Sequence, residues 1–499
     1  MADWIRCAAV AAVLVGVGGN VAHAQSFEPL PTAPPVETSE TSEERPGPDY
    51  LRSFLWDATF LAGGTLWYWI DDRNIVDWDF DSWETRFSEV AYRFDNNEFP
   101  INYIGHPLSG AAFYGVPRAN RLHWTEAFIF GLLTSFVWEF FLEFQERFSL
   151  NDFVVTPLGG LPIGEGFVQL ARWLDNAAHP ALAWSLGLPV ALQEMLDGRS
   201  VGHESGAPPE RPPWADVGAD LSFGWAVPSG DGVGEDFDQT RLTMHAEFVN
   251  LEHYRTAGAG VEGFLDANVT RLRMDGLFSS NGAGFELDSD TMLAGVHAYA
   301  WQDAGDHIEG GSAIVGTSVS HFVRFENFDA WNDRLAFTGF PGLALQLEEA
   351  HGDVGIRLDG RLQPIFGGSS ASSELPRWLA RNPDAMPKSL LVRHAYWHGW
   401  GWHGWARARV RLSVLTLEAE LRSVALDSQE GYDRNEELVT QDADGRAALL
   451  EWSLGARLRL SNVVVITRFT HQGRESSLDA EVTSRALDRF DVSIGFAAP

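Results

Sequence analysis

The chain has 499 residues, about three times the length of a typical single domain, so it can hold one large domain or two to three smaller ones. Acidic residues outnumber Lys and Arg by 69 to 36, and the formal net charge is −33. This charge repels phosphate backbones, and no basic segment stands out, so nucleic-acid binding is excluded. Cys7 is the single cysteine, which excludes disulfide scaffolds, thiolate metal sites and cysteine nucleophiles in the rest of the chain.

The first 24 residues have the features of a secretory signal peptide. Arg6 supplies a positive charge, residues 8–18 are an apolar run, and Ala22-His23-Ala24 is a small-x-small cleavage site. The alternative is an N-terminal membrane anchor, but the apolar run is too short to cross a bilayer core of about 30 Å. Residues 25–50 are rich in Pro, Glu, Ser and Thr and are predicted to be a disordered leader.

Between residues 51 and 198 the spacing of apolar residues is typical of helices. The strongest helix prediction covers 122–146, and the purely apolar part of it, 127–138, is only about a dozen residues long. That length favours a buried or interfacial helix over one that spans a membrane. The stretch 199–214 is polar and Pro-rich, and we predict that it is a linker to a second domain at 215–499.

In the second domain the apolar period changes to two. Apolar residues alternate with polar ones at 217–227 and again at 406–414, and the parity flips across a tight turn at 413–416 before the next run, 415–421. Such alternation predicts half-buried antiparallel strands, and a parity flip is what a short hairpin requires. We predict roughly ten to twelve strands.

Two architectures produce this pattern: a soluble barrel or sandwich that buries its apolar face, and an outer-membrane barrel that turns the apolar face to lipid. The polar face carries both charges, which suits a hydrated lumen with Arg–carboxylate pairs. The chain also ends three residues after Phe496, similar to the terminal aromatic strand of outer-membrane barrels. The sequence therefore predicts an N-terminal helical domain followed by an antiparallel outer-membrane β-barrel in contact with outer-membrane lipid.

Polar residues are unusually dense among apolar neighbours between residues 95 and 166. Ser135, Glu139 and Glu143 are spaced i, i+4, i+8 and so lie on one face of a helix. A carboxylate among phenylalanines is costly unless paired, so we predict that Glu139 is buried and paired with Arg118 or His106. The candidate site residues are Asn102, His106, Tyr114, Arg118, Glu126, Ser135, Glu139, Asn151, Asp152, Thr156 and Glu165.

A spaced motif runs through this region and consists of His106-Pro107, Gly110, Tyr114, Arg118, Glu126, Ser135, Trp138-Glu139, Ser149, Asn151-Asp152, Thr156, Gly159-Gly160 and Gly164-Glu165. Over about residues 95–175 the motif resembles domain of unknown function 3943 (DUF3943), a family found in exported proteins of Gram-negative bacteria. The resemblance implies an envelope location and supplies no reaction, since the family has no established activity.

Three kinds of function fit these features. In a structural role, buried Arg–Glu and His–Glu pairs dock a helical plug against or inside the barrel. An enzyme acting on envelope lipid or glycan would use His106 as general base, with Glu139 or Asp152 orienting it; Ser135 lacks a nucleophile elbow around it. A transport or ligand-binding barrel would take a small envelope ligand and use the helical part as a periplasmic gate or plug. We favour a non-enzymatic role and assign no catalytic residue.

A Trp-rich stretch contains the histidines that are spaced most like metal ligands, His394, His398 and His403. In a strand, His394 and His398 share a face and His403 points the other way. The tryptophans between them favour an aromatic girdle at a membrane boundary. Phosphate-loop, dinucleotide-binding and calcium-loop motifs are absent from the sequence. The sequence therefore predicts neither a metal site nor a cofactor.

Overall fold

The structure, a computed structural model, describes residues 47–70, 80–88, 91–176, 180–198, 214–305, 307–429 and 436–497. Residues 46–499 form one compact unit. The predicted signal peptide, the leader up to residue 46 and the predicted linker up to residue 213 lie outside the described residues.

The N-terminal part is helical, as the sequence predicted. The α-helices are α1 (Tyr50–Ile70), α2 (His106–Ala119), α3 (Trp124–Val137), α4 (Leu150–Asn176), α5 (Pro180–Leu186) and α6 (Leu188–Leu196). A 3-10 helix covers Phe80–Phe87, and π-helical turns at Ile101–Gly105 and Trp138–Leu142 precede α2 and continue α3. Tyr92–Arg93 and Phe148–Ser149 form a short parallel pair.

The rest of the described chain is a β-barrel. Its strands are β1 (Trp214–Gly230), β2 (Phe237–Val249), β3 (Gly258–Phe264), β4 (Val269–Ser279), β5 (Gly282–Asp303), β6 (Ile308–Phe328), β7 (Trp331–His351), β8 (Val354–Ser370), β9 (Tyr396–Leu412), β10 (Leu415–Ser428), β11 (Gly445–Leu460), β12 (Val463–Leu478) and β13 (Glu481–Ala497). Short helices α7 (Leu375–Arg381) and α8 (Ser389–His394) join β8 to β9, and a 3-10 turn, Glu436–Leu438, precedes β11.

Twelve of these strands close into an antiparallel ring. Each pairs with the next in the order β1, β2, β4, β5 and onward to β13, and β13 pairs with β1. Strand β3 is not counted among the twelve; it pairs with residues 295–301 of β5, on the edge of β5 that β4 also occupies, and so continues the line of β4. The predicted fold class, helices followed by an outer-membrane type of barrel, is confirmed, and the twelve strands match the upper limit of the predicted number.

The two faces of the barrel wall differ as the alternation predicted. On β1 the side chains of Leu221, Phe223 and Trp225 point outward and are 43–63% exposed, whereas the alternating residues Asp220 and Ser222 are buried inside. An apolar outer surface around a polar interior is the pattern of barrels that sit in a bilayer.

Ion pairs bridge the interior of the barrel. They join strands that are not neighbours in the ring, so the lumen is crossed by side chains at several levels. The pairs are Arg324–Glu451 (2.6 Å), Arg361–Asp290 (2.5 Å), Arg407–Glu247 (3.0 Å), Arg474–Asp333 (3.3 Å), Arg422–Asp288 and Arg489–Glu326.

The two ends of the barrel have different connections. One end, which we call the terminal end, holds the start of β1, the end of β13 and tight turns at 352–353, 413–414 and 461–462. The other end, which we call the loop end, holds the long connections 371–395 and 429–444.

The N-terminal helices lie against the outer wall of the barrel. Leu170 of α4 packs with Ala246 of β2, which points to the same side as the exposed Leu242. Leu272, the neighbour of Ala246 on β4, meets α4 at Gly166, where an added Cβ would come within 3.1 Å of it. Similar contacts extend along β5, β6 and β7.

The short helices α7 and α8 reach the lumen at the loop end, where Leu375 and Trp378 pack with the inward-facing Phe322. The N-terminal helices contact the outer wall instead, and the predicted helical plug is not shown for them. The physical reason is the match of surfaces. An apolar helix such as α4 would leave the charged groups of the lumen without partners, while the outer wall offers apolar surface. α4 begins beside Tyr396 at the loop end and ends beside Phe248 at the terminal end, so it runs the height of the wall.

Helices α2 and α4 cross in backbone contact. A Cβ added to Gly110 would lie 1.9 Å from the carbonyl oxygen of Thr156, and one added to Gly160 would lie 2.3 Å from the carbonyl carbon of Gly110. We expect Gly110→Ala to destabilise the protein by about 1–3 kcal/mol, because the helices must separate. The midpoint of thermal unfolding in detergent measures this. Gly63→Ala on α1, where an added Cβ meets nothing within 4 Å, is the control, and equal effects at the two positions would contradict the crossing.

The outer surface of the helical bundle is apolar, like the uncovered wall of the barrel. Exposed apolar side chains on α1 and α3 include Leu51, Phe54, Leu66, Trp67, Trp69, Ile129, Leu133 and Phe136. Within the described part of the chain, two helical segments are long and apolar enough to cross a membrane, Trp124–Leu142 and Leu150–Asp175. The second is mostly buried between the barrel wall and its helical neighbours.

Candidate functional site

The predicted polar constellation divides into separate groups, and the first is a closed network around Glu165. Arg118 donates to both carboxylate oxygens of Glu165, from Nε at 2.8 Å and Nη2 at 3.1 Å. Tyr114 donates to Oε2 at 2.6 Å and Gln169 to Oε1 at 2.6 Å. All four side chains are at most 4% exposed. This network binds α2 to α4, and its filled hydrogen-bonding capacity is typical of a structural role.

The second group fastens the loop end of the bundle. Asn102 and Asn151 each donate to Oδ1 of Asp95, at 2.7 and 3.0 Å. Asn102 also donates to the hydroxyl of Tyr396 at 2.9 Å, which ties the helical part to the start of β9.

The third group contains His106, Glu139 and Asp152, and we call it the His–carboxylate cluster. One nitrogen or carboxylate oxygen from each lies within 4.8 Å of the others, and His106 Nε2 is 3.5 Å from Asp152 Oδ1. Glu139 and Asp152 are each 2% exposed. The Oε2 atom of Glu139 has no hydrogen-bond partner among the described residues. Two carboxylates and an imidazole are thus close together in an environment from which solvent is almost excluded.

Three different elements position this cluster. His106 begins α2, Asp152 lies in the first turn of α4, and Glu139 lies in the π-helical turn that continues α3. The guanidinium of Arg86 donates to the carbonyl oxygens of Glu139 and Phe140, at 3.3 and 3.0 Å, and so holds that turn in place. Single π-turns within helices often occur at functional sites.

The remaining candidate residues take other positions. Glu126 accepts from Tyr50 at 2.6 Å and from the backbone of His123 at 2.9 Å, which makes it part of a helix cap away from the cluster. Ser135 and Thr156 are buried one turn away from Glu139 and Asp152, and their hydroxyls have no hydrogen-bond partner among the described residues.

The prediction for Glu139 is correct in one respect and wrong in another. The side chain is buried, as predicted. Arg118 is not its partner, because Glu165 occupies that guanidinium. Its predicted alternative, His106, is near enough to share the cluster, but the described structure shows no hydrogen bond between the two side chains.

A group of ion pairs at the end of α6 also stabilises the helical bundle. Asp197, just after α6, accepts from Arg52 at 2.8 Å and pairs with Arg121. Burial raises the pKa of Asp197, but the hydrogen bonds from these two guanidinium groups outweigh burial and lower this pKa below its usual value. The carboxylate therefore stays ionised at neutral pH and joins α1 to the end of the bundle.

A cavity of about 680 Å³ lies inside the barrel at the terminal end. Its lining is strongly charged and includes the arginines Arg255, Arg271, Arg273, Arg357, Arg407, Arg409, Arg411, Arg457, Arg459 and Arg468. These residues were not among the site residues predicted from the sequence. The available signal was the inward parity of Arg407, Arg409 and Arg411, three arginines on one face of a single strand.

The predicted histidine geometry holds only in part. His398 points outward and is buried under the helices, where its Nδ1 is 2.7 Å from the hydroxyl of Tyr103. His403 points inward, 3.1 Å from Gln363, while His394 belongs to α8 and not to the strand. Trp400 and Trp402 are more than half exposed on the outer wall, whereas Trp405 lies inside against arginines.

Residues 91–188 match the family model of a domain of unknown function, DUF3943. This stretch is therefore similar to the DUF3943 family. The resemblance predicted over about residues 95–175 is thereby confirmed. The matched stretch begins before α2 and ends at the start of α6, so it contains both the Glu165 network and the His–carboxylate cluster.

The chain is similar to solved barrel structures. It matches the translocator domain of the autotransporter NalP from Neisseria meningitidis at 16% identity, over 61% of this chain and 96% of that chain, with a TM-score of 0.22. It matches an outer membrane channel from Pseudomonas putida F1 at 11% identity, over 58% of this chain and 100% of that chain, with a TM-score of 0.28. No curated protein matches the chain.

Proposed function

We propose that the protein is an outer-membrane barrel that binds small anionic solutes in its lumen. The observation that carries this proposal is the charge of the terminal-end cavity. Ten arginines and seven acidic residues line it, although the whole chain has a formal net charge of −33. A cavity with an excess of positive charge and low-dielectric walls concentrates anions, and rings of arginine are typical of anion-selective barrels.

Several of these arginines have capacity for a ligand. The described residues show no ion pair for Arg411, which is exposed at the cavity mouth. Arg457 lies 3.8 Å from Asp216 and Arg468 lies 4.0 Å from Glu418, which are long separations for ion pairs. A guanidinium presents paired N–H donors that fit carboxylate and phosphate oxygens, so the expected ligands are small carboxylates or phosphates.

Isothermal titration calorimetry tests the proposal. The full chain in detergent is titrated with inorganic phosphate and, separately, with citrate. We expect saturable binding of at least one of them, and about tenfold weaker binding in the double variant Arg411→Gln/Arg457→Gln, since a charge-assisted hydrogen bond contributes about 1.5–3 kcal/mol.

The matched control is Arg446→Gln, since Arg446 is highly exposed at the loop end and does not line the cavity. Its affinity for the anion is expected to equal that of the unmodified chain. Absence of saturable binding, or the same loss in the control, would refute an anion site in the cavity.

We also propose that one bilayer surrounds the barrel and the helical bundle together. Both present apolar side chains outward, and a water-exposed apolar surface of this extent is rare in soluble proteins. The proposed position beside the barrel replaces the periplasmic placement of the helical part that the sequence suggested.

A second candidate function is modification of an envelope lipid. The observation that favours it is the separation of 3.5 Å between His106 Nε2 and Asp152 Oδ1, in a bundle with an apolar outer surface. In this proposal His106 removes a proton from a water molecule that attacks an ester or phosphoester bond of the lipid, and Asp152 orients the imidazole. The bond to the alcohol oxygen breaks, and the imidazolium returns the proton to that oxygen. Release of fatty acid or phosphate from vesicles of bacterial outer-membrane lipid, abolished by Asp152→Asn without loss of folding, is the expected result. If the unmodified chain releases neither fatty acid nor phosphate, the enzymatic function is refuted.

A further inference from the structure

We propose that the His–carboxylate cluster binds one divalent transition-metal ion, with zinc as the expected occupant. This site is separate from the anion cavity, since it lies in the helical bundle on the outer side of the barrel. It is an alternative to the general-base role of His106, because the ion would occupy the imidazole nitrogen. The proposal departs from the sequence-based expectation that the chain has no metal site.

The donor set suits such an ion. Imidazole nitrogen and carboxylate oxygen bind zinc at about 2.0–2.2 Å, which places two ligand atoms of one ion about 3–4 Å apart. The three donor atoms of His106, Glu139 and Asp152 lie within 4.8 Å of one another, so small side-chain rotations bring them to a common ion. A neutral imidazole and two carboxylates carry a charge of −2, which a divalent ion balances.

The second observation is the unsatisfied oxygen. Oε2 of Glu139 is buried without a hydrogen-bond partner among the described residues, and Glu139 is only 2% exposed. A buried acceptor without a donor costs free energy, and a bound cation would remove that cost. The hydroxyls of Ser135 and Thr156, one turn away on the same two helices, are also without partners.

Residues around the cluster hold its ligands in place. Asn151 Nδ2 donates to Asp152 Oδ1 at 2.8 Å, and Ser149 Oγ accepts from the backbone N–H of Asp152 at 3.1 Å. Hydrogen bonds of this kind orient a ligating carboxylate and are characteristic of metal sites in proteins. The backbone contacts from Arg86 fix the turn that carries Glu139.

The experiment measures zinc in the full chain. Protein purified in detergent is treated with EDTA, given zinc, desalted and analysed for bound metal. We expect one zinc per chain, and at least tenfold weaker binding in Glu139→Gln and in Asp152→Asn. We also expect zinc to raise the thermal midpoint of the unmodified chain and EDTA to lower it, a readout that needs no variant.

The control is Glu262→Gln, because Glu262 belongs to a second group of possible ligands, with Glu252 and His253, near the terminal end. It should bind zinc as the unmodified chain does. Heat-modifiable gel mobility establishes that each variant keeps its barrel. The proposal would be overturned if the unmodified chain binds no zinc and its midpoint of thermal unfolding does not change with zinc or EDTA. It would also be overturned if Glu262→Gln loses zinc and Glu139→Gln retains it.

Discussion

Replacing Glu165 with glutamine is expected to lower the free energy of unfolding by about 3–5 kcal/mol, because one partner of a buried ion pair is removed. Arg118 would keep its charge at 4% exposure and lose the carboxylate that accepts two of its hydrogen bonds, with only the half-exposed Asp266, 3.1 Å away, left as an acidic partner. Tyr114 and Gln169 also donate to this carboxylate. The NH₂ group of the new amide would therefore face other hydrogen-bond donors in place of an acceptor.

The measurement is denaturant unfolding of the full chain in lipid vesicles, followed by tryptophan fluorescence. Glu126→Gln is the matched control, since Glu126 lies in the same domain but near the surface, in a helix cap. The Glu126→Gln change is expected to lower the free energy of unfolding by about 1 kcal/mol or less. A loss at Glu165 no larger than that at Glu126 would show that the buried network contributes little to stability.

The strands of the barrel could be predicted from the sequence because side-chain alternation is a local property. The parity flip at 413–416 coincides with the turn between β9, which ends at Leu412, and β10, which begins at Leu415. Each strand contributes its own alternation, so neither the partner strand nor the tertiary fold was needed for that prediction.

The partners in the candidate site could not be predicted in the same way. The sequence shows that Glu139 and Glu165 lie among apolar residues and need compensation, but Arg118 is within reach of either by sequence. Which carboxylate it binds depends on the crossing of α2 and α4 at Gly110 and Gly160. The crossing brings Glu165 to Arg118 and leaves Glu139 with His106 and Asp152.

The position of the helices was also beyond local reasoning. Two apolar surfaces, a helix face and a strand face, attract each other without direction, so hydrophobicity alone does not choose between the lumen and the outer wall. The choice follows from the charges in the lumen, whose partners come from strands that are not neighbours in the ring. Closely spaced glycines on α4, such as Gly166 against Leu272, were the available sequence signal for close packing.

Arginine substitutions on the outer surface test whether one bilayer surrounds barrel and bundle. Leu454 lies near the middle of β11 and Leu133 near the middle of the segment Trp124–Leu142, and both are more than half exposed. If lipid covers both, each Leu→Arg change should lower the free energy of unfolding in vesicles by about 2–4 kcal/mol, because a charge is placed in the hydrocarbon. Leu438→Arg, at an equally exposed leucine in the loop-end turn, should change stability by less than about 0.5 kcal/mol.

The three variants separate the two parts of the proposal. A large effect at Leu454 with a small one at Leu133 would place the barrel in the bilayer and the bundle surface in water. Small effects at both would contradict a membrane position for the whole molecule, since charge on a solvated surface costs little. The expected result, equal and large effects at Leu454 and Leu133, would place the His–carboxylate cluster inside a bundle surrounded by lipid, where substrates or ligands reach it only from the membrane or from the loop end.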